Sequence, residues 1–269
     1  MTNNVVRFQV EYKQMSIKEL TENLVFEKIE NYLIQDRTFD FKILDIWFPD
    51  EARTRSIIGG LETSLGTSLW ENLAVLLASE NGFEILDKKE FNDSVPKIST
   101  NLNNLIAEFT SRAQDDDIPM STFLEELKEY IKLNNISSSS NQKLKAGTGV
   151  DVWLKKDEIE YMFDIKTVKP NRGQFNTFFQ QLIYWNAHRV LQDINIKLKT
   201  AIVFPYNPFN TPYWNNYGCK PLVKSQDALA DNEFWKLITG NNNAIEEIFE
   251  GFYSLNNNPE FIKLKNTHF

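Results

Sequence analysis

Cysteine occurs once in the 269 residues, at Cys219, and histidine twice, at His188 and His268. One thiol cannot close an internal disulfide, and so few Cys and His residues exclude a Cys/His zinc cluster or an HExxH site. No apolar run approaches the roughly 18 residues that a membrane span needs. The opening MTNNVVRFQVEYKQ lacks the basic start and apolar core of a secretory leader, so a cytoplasmic protein is expected. A Walker A pattern is also missing, which excludes an ATP motor within the chain. Any catalytic machinery must therefore come from carboxylates, lysines and hydroxyls.

Apolar residues make up 42% of the chain and aromatic ones 13%, enough for a full core, in one domain with elaborations or two closely joined parts. A formal net charge of -8 argues against a general polyanion binder. The charge is uneven, however. Residues 134–199 carry ten basic and six acidic side chains, so this window is +4 and the remainder -12. A phosphate-contacting face on an acidic body would show that asymmetry, and so would chance variation on solvated surfaces.

Helical spacing is clear in SIKELTENLVFEKIENYLIQ, where Ser16 and Glu19 make a capping box. FKILDIWFPDEARTRSIIGG reads as an extended segment feeding a loop, broken by Pro49 and Gly59-Gly60. A helix is expected over about 61–80, ended by Asn81-Gly82, and a strand over 83–91. Two further helical patterns fill residues 95–133, and NNISSSSNQKLKAGTG has the composition of a flexible loop. Strands at 149–155 and 159–167, a helix at 173–193 and a strand at 199–205 follow. An aromatic loop, PFNTPYWNNYGCKPL, and two helical patterns complete the chain, which has no internal repeat. This is a mixed α/β layout, a hairpin followed by a helical crossover to another strand.

The hairpin GVDVWLKKDEIEYMFDIKTVKPN, residues 149–171, carries the chemistry. Side chains alternate along a strand, so Asp164 and Lys166 share one face while Phe163 and Ile165 share the other. Asp151, across the short turn at Lys155–Glu158, can approach Asp164 from the same side. Two adjacent carboxylates repel unless a cation compensates, and oxygen ligands are what Mg²⁺ prefers. The plain alternative is a solvent-facing hairpin with an Asp164/Lys166 surface pair, worth roughly 0–1 kcal/mol.

Asp151, followed after the turn by Asp164-Ile165-Lys166, resembles the PD-(D/E)XK nuclease signature, with Val150 where the signature has proline. The order helix, strand, strand, strand, helix, strand also resembles the core of that superfamily if about 95–147 is a helical insertion. RTRSIIGGLETSLGTSLWENLAVLLA resembles the N-terminal helix region of its type II restriction endonucleases. There Glu71 takes the position of an additional acidic residue and Glu62 is the rival.

The resemblance implies an α/β, restriction-endonuclease-like core with a mixed central sheet flanked by helices. The whole chain, 1–269, would be one nuclease domain: an N-terminal helical elaboration (1–52), the catalytic core (53–205) and a C-terminal helical elaboration (206–269). Asp151 and Asp164 would bind Mg²⁺, supplemented by the Ile165 carbonyl. Lys166 would assist the attacking water, and Glu71 would complete or tune the metal site. The implied substrate is double-stranded DNA, cut at a short palindrome, of GGNCC type on the same resemblance. A homodimer and a companion methyltransferase in a bacterial host go with it.

For DNA contacts, Arg53, Arg55 and Ser56 precede the expected helix, a spot suited to phosphate, while Lys169, Asn171 and Arg172 follow the catalytic strand. Gln180 and Tyr184 have a QxxxY spacing that resembles recombination-repair exonucleases of the same superfamily, where the glutamine lies near the active site. Packing and hydrogen bonding are the simpler role for both. A repair nuclease, or a DNA-binding protein without catalysis, are the alternatives to a restriction enzyme.

Overall fold

The computed structural model describes residues 15–35, 43–138, 140–167 and 170–269. Of the residues expected at DNA, Lys169 lies outside these, as does the side chain of Arg172. Two compact units divide the chain: residues up to Glu80 with Asn241–Phe269, and Asn81–Gly240.

The first unit opens with α1 (Ile17–Leu33), where the expected capping box forms: Ser16 Oγ accepts from Glu19 N at 3.2 Å and Glu19 Oε2 from Ser16 N at 2.8 Å. A 3₁₀ turn (Ile43–Ile46) leads to α2 (Pro49–Ser64), a π-helical turn (Leu65–Leu69) and α3 (Trp70–Glu80). The extended reading of this region is corrected. Pro49 starts the helix instead of breaking it, because at the first helical position its missing N–H is not needed, and Asp50 and Glu51 suit the positive end of the helix dipole. Arg53 and Arg55 therefore sit inside α2, not ahead of a helix start.

The second unit begins with β1 (Glu84–Ile85), much shorter than the strand expected at 83–91. Asp87 ends that strand by capping α4 (Lys88–Asp93), accepting from Lys89 N at 2.9 Å. β2 (Val95–Pro96), α5 (Thr100–Asp115) and α6 (Met120–Asn134) follow, and the Ser-rich segment supplies β3 (Asn141–Gln142), antiparallel to β2. Next come β4 (Val152–Lys156) and β5 (Ile159–Ile165), joined through Asp157 and Glu158 with φ of 50° and 63°. Positive φ at both central residues lets a two-residue turn follow the twist of the hairpin. α7 (Arg172–Gln192) crosses over to β6 (Lys197–Phe204), and β7 (Ala228–Ala230) and α8 (Asn232–Thr239) close the unit.

The five-stranded sheet runs β1-β4-β5-β6-β7, antiparallel from β1 to β5 and parallel from β5 to β7. β5 is its central strand and is covered on both faces. Phe163 meets Phe234 of α8 edge to face at 5.3 Å, while Met162 belongs to the core that includes Phe175, Phe179 and Leu182 of α7.

The chain then returns to the first unit with α9 (Ala244–Ser254) and α10 (Pro259–His268). α9 lies close against α1 because Gly251 has no side chain: a Cβ there would stand 2.6 Å from the Lys18 carbonyl oxygen. Among the described residues no helix is long and apolar enough to cross a membrane.

Candidate active site

Antiparallel register sets the site. Val152 pairs with Phe163 at the end of the β4–β5 ladder; Asp151 stands just before β4, and its carboxylate lies beside that of Asp164 near the end of β5. Asp151 N donates to the Phe163 carbonyl at 3.0 Å, and Asp151 Oδ2 accepts from Ile165 N at 2.9 Å. One carboxylate is thereby tied to the backbone of the strand that carries the other. Lys166 lies two positions beyond Asp164 and on the same side. Its Nζ donates to Asp164 Oδ1 at 2.7 Å and stands 2.6 Å from Oδ2, which has no properly directed hydrogen bond. The Lys166 N–H bonds to the Val203 carbonyl at 2.8 Å, which fixes the base of the lysine side chain to β6.

Burial separates this arrangement from a surface ion pair. Asp164 is 2% exposed, so the hairpin does not present a solvent-facing Asp164/Lys166 pair. α7 covers the face instead. Its Phe178 ring lies 5.8 Å from Lys166 Nζ, and its Arg189 binds Glu160, a β5 residue of the same parity as Asp164, through hydrogen bonds of 2.9 and 2.8 Å. The Asp164 carboxyl is raised to about 7, chiefly by burial, with Lys166 pulling it down and the Asp151 charge and hydrogen bond pushing it up. A buried acid repelled by its neighbour is a place where added positive charge would be favourable.

The donor set fits a hard divalent ion: two neighbouring carboxylates, one bearing an oxygen without a directed hydrogen bond. No group of three or more His, Cys, Asp or Glu side chains suited to a metal occurs among the described residues. Backbone or substrate oxygens would therefore have to complete the coordination. The carboxylates could hold the ion, and Lys166, whose side chain is 27% exposed, can reach a water or a phosphate oxygen.

The other expected residues are placed more variously. Gln180 donates to Thr110 Oγ1 at 3.0 Å and Tyr184 Oη to Asn103 Oδ1 at 3.1 Å, so both fasten α7 to α5. Asn171 caps α7, its Oδ1 accepting from Gln174 N at 3.1 Å while its own N–H bonds to Gln174 Oε1 at 2.7 Å. Arg172 is the first residue of that helix. In the first unit, Arg53, Arg55 and Glu62 are exposed on α2, and Glu71 is half-buried in the first turn of α3.

Four side chains that the sequence reading passed over hold the approach to Asp151. They are Lys88 and Asn92 of α4 and Gln181 and Trp185 of α7, each pair one helical turn apart. The (i, i+4) spacing was visible, but nothing local showed that both helices face residues 148–151.

Comparison with known proteins gives the family of the chain. The family model described as "Type II restriction endonuclease, HinfI" matches residues 13–256. The type II restriction enzyme MjaII of Methanocaldococcus jannaschii is 26% identical over 204 residues, which cover 71% of this chain and 52% of that protein. The chain thus spans about half the length of the curated relative it matches. On the breadth of the family match, which runs through both units and both strands of the hairpin, the chain belongs to the HinfI family of type II restriction endonucleases.

Proposed function

We propose that this protein hydrolyses phosphodiester bonds of double-stranded DNA at a specific short site, using Mg²⁺ held by a PD-(D/E)XK-type centre. The observation that carries the reading is the buried Asp164, beside Asp151 and bonded to Lys166, on the central strand of a mixed sheet. Membership of the HinfI family supports it.

Asp151, Asp164 and the Ile165 carbonyl would hold the ion, which when bound supplies Lewis acidity at the phosphate oxygens. Asp151 orients one carboxylate oxygen through the Ile165 amide, so its position follows β5 instead of a mobile side chain. Lys166 stands anchored at its backbone with its ammonium free to turn from Asp164 toward a water or the scissile phosphate, where its charge counters the developing negative charge. α7 shields the carboxylates from bulk water and so strengthens each of these interactions. Glu71, half-buried in the first turn of α3, is retained as a candidate acidic residue on the sequence resemblance alone. Asn171 and Arg172, at the start of α7, and Lys169 just before it are proposed to meet the DNA backbone. Arg53 and Arg55 are retained as phosphate contacts from an exposed helix face.

A palindromic site is cut on both strands most simply by a two-fold symmetric homodimer, and a companion methyltransferase would protect the host's own sites. DNA of known sequence, incubated with Mg²⁺ and mapped at its ends, should yield discrete bands cut at one recurring sequence. Cleavage should cease in EDTA and in Asp164→Ala. A smear would favour a repair nuclease, and cleavage that persists in Asp164→Ala would defeat the mechanism.

A further inference from the structure

Residues 148–151 lead into β4, and their carbonyls are met by side chains. Trp185 Nε1 donates to the Thr148 carbonyl at 2.8 Å, Gln181 Nε2 to Gly149 at 3.3 Å, Asn92 Nδ2 to Val150 at 3.3 Å and Lys88 Nζ to Asp151 at 2.7 Å. Asn92 also accepts from Val150 N at 2.9 Å, so its amide clasps that residue from both sides as a neighbouring strand would. Gly149 is required by this closeness: a Cβ there would lie 2.8 Å from Asn92 Nδ2. Four consecutive carbonyls are thus gripped from two helices, and the grip ends at Asp151.

We propose that this clamp is a positioning device for the Asp151 carboxylate, with Asn92, Gln181, Trp185 and Lys88 as positioning residues for the reaction. Unpaired buried carbonyls would by themselves call for donors, and any donors would serve stability. What points beyond stability is where the fixed segment leads. It delivers Asp151 with its Oδ2 on the Ile165 amide, one residue from each of Asp164 and Lys166. Catalytic groups tolerate little displacement, and a misplacement of about 1 Å can cost on the order of 100-fold in rate. α7 adds a second link, since the helix that carries Gln181 and Trp185 also lays Phe178 near Lys166. A shift of that helix would move both sides of the site together.

The catalytic part of this inference rests on the proposed nuclease reading; the geometric part does not. Amide hydrogen exchange is the independent test, because the Ile165 amide bonds to Asp151 Oδ2 while the next amide, Lys166, bonds to the Val203 carbonyl. Asn92→Ala and Gly149→Ala should each speed exchange at Ile165 at least tenfold and leave Lys166 unchanged. In the same variants kcat for DNA cleavage should fall at least tenfold with KM little altered. Ile238→Val, which removes a buried methylene from α8 on the other face of the sheet, serves as the control for a general loss of stability and should change neither. Unchanged exchange at Ile165 overturns the clamp, even if the wild type cleaves no DNA. Faster exchange with undiminished kcat overturns its role in the reaction.

Discussion

Asp164 and Lys166, two positions apart on one face of the central strand, are joined at 2.7 Å in a place where the aspartate is almost wholly out of water. Replacing Lys166 by Gln leaves that acid buried beside Asp151 without its cation. Cleavage should drop by roughly 100-fold or more, as when a charge-stabilising donor is lost from a preorganised site. Single-turnover assays at saturating DNA will check it, and near-normal turnover would remove Lys166 from the chemistry.

Without divalent ions, Asp164 should tie stability to pH. Its folded value of about 7 lies above the ordinary 3.8, so between these values the folded chain keeps a proton that the unfolded chain has lost. The benefit is fully present below about pH 4 and disappears as pH rises through 7. Asp164→Asn should therefore gain on the wild type over that interval, by at most about 1.4 kcal/mol per pH unit. Mg²⁺ should reverse the order by stabilising the wild type alone. Urea titrations in EDTA and in Mg²⁺ across pH 4–8 give both comparisons.

His188 acts in the opposite sense. Burial holds its imidazole down at about 4 against an ordinary 6.5, despite a hydrogen bond to the Pro96 carbonyl at 2.8 Å. The stability it contributes while neutral is present above pH 6.5 and lost as pH falls toward 4. His188→Gln should show a smaller loss than the wild type over that range in the same titrations.

Glu160 and Arg189 share two hydrogen bonds with side chains only 6% and 14% exposed. Removing either partner strands a charge, and removing Glu160 also loses the 3.0 Å bond from Trp153. Each single Ala variant should lose about 3–5 kcal/mol, and the double variant clearly less than the sum of both. Additive losses would show that the pair is not coupled.

At the contact between α1 and α9, Gly251→Ala would drive a methyl group to 2.6 Å from a backbone oxygen, an atom that cannot turn aside. A loss of about 1–3 kcal/mol is expected from overpacking. Thermal unfolding will measure it, and an unchanged midpoint would mean that the helices can separate at no cost.

Much of the site was legible in the sequence. Parity along YMFDIKT placed Asp164 and Lys166 together, and a short turn was enough to bring Asp151 near them, although Asp151 stands just ahead of β4 and not within the strand expected at 149–155. Long amphipathic or well-capped segments, such as α5, α6 and α7, likewise declared themselves by spacing and caps. Short elements did not. FEILDKKEF alternates like a strand, but Asp87 competes as a helix cap and leaves only two residues to pair. β7 is three residues of Ala-Leu-Ala whose strand character comes wholly from its neighbour β6. Burial of Asp164 was illegible for a related reason: the helix that covers it is local, but the direction in which it packs is not.

The central place of β5 also bears on how the protein fails. Asp164 is paired to Ile202 of β6, and the β4 ladder reaches its neighbour Phe163, so it sits on an inner strand of the sheet and not at an edge. Loss of the Asp151–Asp164 arrangement on heating or in denaturant should therefore follow the unfolding of the sheet itself.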